Sequence, residues 1–133
     1  MLDRYCINKL KYHIKINTID IMDATEKLNE VNRIIGEVGK DNAEFQGSLM
    51  EFMSGAMSEG VLDVKTKEYI ALALGIAARC EWCISYHVYN AIKMGATKKE
   101  LMEVGYVAVL MYGSTALMEM NNLVDAINKF LPE

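Results

Sequence analysis

The chain has 133 residues, 52% of them hydrophobic, with a single proline and a formal net charge of −4. That is enough for one hydrophobic core, so a single domain is expected, and the acidic balance lacks the clustered Lys and Arg that displace counterions from nucleic acid. The longest uncharged stretch, Val104 to Met118, is interrupted by Gly105, Gly113, Ser114 and Thr115. It falls short of the roughly 20 apolar residues of a membrane span and reads as buried helix.

Residues 10–16, Leu-Lys-Tyr-His-Ile-Lys-Ile, alternate apolar and polar, which predicts a short strand or extended arm. Met22 directly precedes the first helical pattern, so residues 1–21 read as an appended arm or a misplaced start, and residues 22–133 as the domain. The opening Met-Leu-Asp-Arg-Tyr-Cys has neither the apolar core nor the cleavage site of an export signal, and a cytoplasmic location is expected.

From Thr25 the period becomes helical. Leu28, Val31, Ile34, Ile35 and Val38 share one face, with Gly39 placed to end the helix. Asp41 or Asn42 can cap a second helix, whose stripe of Phe45, Leu49, Phe52, Met53, Ala56 and Met57 runs to a stop at Gly60. Its Met50, Met53 and Met57 suit core or subunit-interface packing. Asp63 caps a third helix, which is apolar all round from Tyr69 to Ala78, as in a segment enclosed by others. No proline or Asn-Gly turn divides Lys65 from Met94. A turn is placed near Arg79 because an unbroken helix would strand Glu68 about 18 Å from Cys80, at 1.5 Å per residue. Gly95 ends the next helix, Thr97 and Glu100 form a capping box, and the stretch from Leu101 to Leu131 breaks near Gly113 and Ser114 before Pro132 closes it. The fold class is therefore all-α, an antiparallel helical bundle. Ten methionines in so apolar a chain imply that some apolar surface lies between subunits of a homo-oligomer.

Chemistry concentrates in Cys80-Glu81-Trp82-Cys83, with His87 four residues on. In a reducing compartment structural disulfides are rare, so a Cys-x-x-Cys pair points to catalysis or metal binding; Cys6 is a leftover thiol. Thiols in the first turn of a helix face unpaired backbone N–H groups and the positive end of the macrodipole, which favour thiolate. Cys83 and His87 lie on one face, so the imidazole can take the thiol proton, and Glu68, folded back, can orient the imidazole. A sulfenic acid on Cys83 would be within reach of Cys80, giving a disulfide that an external dithiol reduces, with no bound cofactor. Zinc is the competing reading: Cys80, Cys83 and His87 would need a fourth ligand from Glu68, His13 or another subunit.

The spacing Glu-x11-Cys-x2-Cys-x3-His from Glu68 to His87, followed by Gly95-Ala96-Thr97 and Glu100, resembles the carboxymuconolactone decarboxylase superfamily, specifically its alkylhydroperoxidase D-like branch. The resemblance spans about residues 40 to 130. It implies an all-helical fold around an antiparallel hairpin, assembly as trimers or hexamers, and a turn where one is needed at Arg79. It also implies Cys83 as the thiol that becomes sulfenic acid, Cys80 as proton donor and disulfide partner, and His87 with Glu68 as proton relay. The implied activity is a thiol-dependent peroxidase or disulfide oxidoreductase, with a peroxide substrate and a thioredoxin-like or other dithiol reductant. A lactone decarboxylase and a non-enzymatic redox-sensing oligomer are the alternatives. Two positions depart from the branch: Trp82 replaces a relay histidine, and Arg79 replaces a glycine.

Overall fold

The computed structural model describes residues 22–131; the expected arm, Cys6, His13 and Pro132 lie outside them. Among the described residues there are six helices and no strand: α1 (Ala24–Asp41), α2 (Ala43–Met57), α3 (Val64–Ala77), α4 (Glu81–Lys93), α5 (Lys98–Tyr112) and α6 (Ser114–Phe130). None is long and apolar enough to cross a membrane.

The caps account for the helix starts. Asp23 and Glu26 close a reciprocal capping box on α1, Asn42 accepts from the Phe45 N–H at the start of α2, and Asp63 accepts from the Thr66 N–H at the start of α3. On α5 the expected Thr97–Glu100 box is present. The Thr97 backbone N–H, the Lys65 ammonium and the Thr97 hydroxyl together hold the Glu100 carboxyl down at about 2.

Gly39 does not end α1, which runs on to Asp41. A Cβ at residue 39 would meet the Gln46 amide, which crosses from α2 and donates to the Ile35 carbonyl at 3.1 Å. A side chain at residue 39 would have to displace that amide. Similarly, α2 stops at Met57, short of Gly60.

The core is carried by α3 to α6. Leu72 and Ile76 of α3, Ile84, Val88 and Ala91 of α4, Leu101 and Ala108 of α5, and Leu123, Ala126 and Ile127 of α6 are buried at helical spacing. α4 packs against α3, α6 and α1. Three apolar segments are only partly covered by this chain, while the expected break at Gly113 is present. No residue of α2 is buried, and its Phe45, Met50 and Phe52 are exposed. The third helix is not enclosed, since Ile70 and Leu74 face outward, and the stretch from Val104 to Met118 breaks at Gly113 and exposes Tyr106, Leu110 and Met118. All three segments carry more apolar side chain than this chain alone covers.

The turn at Arg79 is real and has a specific geometry. The Cys80 N–H donates to the Gly75 carbonyl at 3.0 Å and the Arg79 N–H to the Ile76 carbonyl at 3.1 Å, the two bonds of a Schellman motif. The end of α4 repeats the motif, with the Ala96 N–H on the Ala91 carbonyl at 2.9 Å and the Gly95 N–H on the Ile92 carbonyl at 2.9 Å. Both turns need a left-handed residue: Gly95 has φ 83°, and Arg79 has φ 58°. Only Arg79 is strained by it, because its Cβ crowds the following carbonyl. Its side chain is 67% exposed and 3.9 Å from Glu119, a pair that contributes little to stability. Arg79→Gly should therefore raise the unfolding free energy by about 1 kcal/mol and the thermal midpoint by about 4 °C. An unchanged or lower midpoint in calorimetry would show that the turn stores no strain.

Candidate active site

The Schellman turn reverses the chain so that α4 runs back along α3. Glu68 and Gly75, seven residues apart on α3, line one face. They meet His87 and Cys83, in that order, on α4. At Gly75 the backbones are close enough that an added Cβ would sit 3.1 Å from the Cys83 Cβ. At Glu68 a buried carboxylate oxygen lies 2.7 Å from His87 Nδ1.

All four residues singled out from the sequence thus fall on this hairpin. Cys80 and Cys83 are joined as a disulfide, with Cα atoms 5.2 Å apart. Cys80 is the N-cap of α4, and its sulfur accepts from the Cys83 backbone N–H at 3.2 Å. The same N–H would stabilise a thiolate there once the disulfide opens. Cys83 lies one turn before His87 on the same face. With Nδ1–H donated to Glu68, the imidazole keeps Nε2 to take or return a proton. The contact with Glu68 fixes the orientation of the ring.

Trp82 has no place in this relay. Its indole N–H donates to Glu30 of α1 at 2.6 Å, and its ring lines a shallow groove of about 420 Å³ with Val31, Arg33 and Ile34. Glu81 is likewise turned to α1, where Lys27 Nζ lies 2.6 Å away. Among the described residues no three His, Cys, Asp or Glu side chains gather as a metal site.

The family model described as the carboxymuconolactone decarboxylase family matches residues 43–126, from the start of α2 nearly to the end of α6. The chain belongs to that family. It is 30% identical over 95 residues to protein 4 in the cox locus of Paracoccus denitrificans, covering 71% of this chain and 86% of that one. A family member of known structure from Legionella pneumophila, in its apo form, superposes with a TM-score of 0.77 at 31% identity, covering 80% of this chain and 96% of that one. Another, from Thermotoga maritima, has a TM-score of 0.69 at 27% identity, covering 77% and 88%; an involvement in antioxidative response has been suggested for it. The family assignment and the all-helical fold thus agree with the reading of the motif.

Other residues of the site went unread in the sequence. Lys27, Glu30, Glu119 and Asn122 hold the surroundings of the cysteines from α1 and α6. Lys27 did leave a signal. It occupies a buried position next to Leu28 in the apolar stripe of α1, where a lysine is out of place unless paired.

Glu68 is the buried member of the hairpin's polar contact. Glu68→Ala should leave His87 Nδ1 without its acceptor and cost about 1–3 kcal/mol in denaturant unfolding. Glu68→Gln, which keeps an acceptor, should recover part of the loss; equal stability of all three proteins would remove the pair from the forces holding α3 to α4.

Proposed function

We propose that this family member is a thiol-dependent peroxidase of the alkylhydroperoxidase kind. The observation that carries the reading is the Cys80–Cys83 disulfide set on the same hairpin as the His87–Glu68 pair. In the reduced protein His87 takes the proton of the Cys83 thiol. The thiolate attacks the distal oxygen of a hydroperoxide, the O–O bond breaks, and the proton passes to the departing alkoxide, leaving Cys83 sulfenic acid and an alcohol. The Cys80 thiol then displaces hydroxide from the Cys83 sulfur, releasing water and forming the disulfide. An external dithiol of the thioredoxin-like class, itself oxidised in the exchange, returns both thiols. Glu68 holds the imidazole in place throughout. No bound cofactor enters the cycle.

A lactone decarboxylase would need a cation free to clamp a carboxylate, whereas Arg79, the arginine nearest the cysteines in sequence, lies beside Glu119. The thiol chemistry is therefore preferred. Adding one equivalent of an alkyl hydroperoxide to the reduced protein should remove two thiols per chain, and Cys83→Ser should abolish peroxide consumption. Undiminished turnover by the Cys83→Ser protein would end the proposal.

The same reading includes a homo-oligomer, a trimer or hexamer. Its support is the apolar surface that one chain leaves uncovered: Ile70 and Leu74 on α3, Tyr106, Leu110 and Met111 on α5, and Met118 on α6 are each 47% exposed or more. Apolar side chains exposed in this number suit contact with further copies. Leu110, 80% exposed, has little to lose in a folded single chain. Leu110→Glu should lower the mass in light scattering from that of a trimer or hexamer while leaving helicity intact; a monomeric parent protein would refute the assembly.

A further inference from the structure

Helix α4 does not by itself hold the residues around Cys80. Lys27 of α1 is buried, and its ammonium reaches Glu81 Oε2 at 2.6 Å and donates to the Asn122 amide oxygen at 3.1 Å. Asn122 in turn donates from Nδ2 to Glu119 Oε2 at 2.9 Å, and Glu119 Oε1 lies 3.9 Å from Arg79 Nε. Arg79 and Glu81 are the residues on either side of Cys80. The contacts therefore link the side chains of the two residues that flank Cys80, through a chain in which two cations balance two carboxylates. One turn along α1, Glu30 holds Trp82, so both residues between the cysteines are tied to the same helix.

Packing alone does not call for an ammonium at residue 27, since an apolar side chain of similar length would fill the space without a desolvation penalty. Its consequence is electrostatic. Without Lys27, the Glu81 carboxylate would stand without its partner next to Cys80, whose sulfur must itself become negative when the disulfide opens. The other charged groups on the elements packed against α4 are committed or do not replace it. Glu68 of α3 is bonded to His87, Glu30 of α1 accepts from Trp82 and pairs with Arg33, and Asp125 of α6, which lines the same cavity as Lys27, is a further anion. Lys129, also in that cavity, is paired with Asp23.

We propose that Lys27 is a positioning residue for the thiol pair, anchoring Glu81 and offsetting its charge so that the Cys80 sulfur can carry a negative charge. The use of that charge rests on the peroxidase reading, but its measurement does not. In the reduced full-length protein, the pH dependence of Cys80 alkylation by iodoacetamide can be followed peptide by peptide, separately from Cys6 and Cys83. Lys27→Met should move the Cys80 profile up by about one pH unit, about tenfold less thiolate at a given pH below it. Adding Glu81→Gln to that variant should bring the profile back toward the parent, and Glu81→Gln alone should move it down. A Lys27→Met protein with a lower unfolding midpoint but an unmoved Cys80 profile would make Lys27 merely structural and overturn the proposal. Should Lys27→Met not fold, an unmoved profile in Glu81→Gln would overturn it equally. Failure of the peroxidase reading has a different signature: shifting profiles in a protein that consumes no peroxide.

Discussion

The return of α4 along α3 is the constraint on which the rest of the site depends. Residues 68 and 87 are nineteen apart in sequence, yet their side chains meet at 2.7 Å because two backbone hydrogen bonds close a tight turn at Arg79. The hairpin sets three things at once. It buries Leu72 and Ile76 against the core stripe of α4, places Cys80 at a helix N-terminus, and delivers a carboxylate from one helix to an imidazole on the other. A continuous helix would satisfy the same apolar pattern and lose the second and third.

Much of this was legible in the sequence where local chemistry is unambiguous. Asn42, Asp63 and Thr97 cap because their side chains reach the unpaired N–H groups of the following turn, a geometry that needs no tertiary context. The break at Gly113 follows from its left-handed backbone. The turn at Arg79 carried no such mark, since a residue with a Cβ fills a position that suits glycine, and only the need to bring Glu68 to the thiols betrayed it. Gly39 misled in the opposite sense: it looked like a stop and is instead a place where Gln46 crosses. One residue type answers two physical demands, and only the neighbour across the fold decides which.

The apolar faces show a different limit. Periodicity reports which residues avoid water, and it does not say what covers them. Along α3, Leu72 and Ile76 are buried, while Ile70 and Leu74, equally apolar, stand outward. In α2 no residue of the stripe is buried: Phe45, Phe52 and Ala56 are exposed, and Leu49, Met53 and Met57 are half-buried. A chain that is half apolar and so short has more hydrophobic surface than its own core can absorb, and surplus of this kind is expected at contacts between copies.

The two sulfurs of the disulfide have different surroundings. Cys83 lies against Gly75 of α3 and one turn from His87, which is bonded to Glu68. Cys80 stands between Arg79 and Glu81, whose side chains are linked through α1 and α6 by contacts in which charges are matched pair by pair. The family match begins at residue 43, beyond the end of α1, so the α1 half of that linkage is argued from this chain's own geometry. Helix α1 buries only Ala24 and Lys27. With so little apolar area on the core, its two grips on the residues between the cysteines are polar ones, and such contacts add more to orientation and charge than to stability. A helix bound in this way can be altered at modest cost to the fold while changing the charge around the two residues between the cysteines.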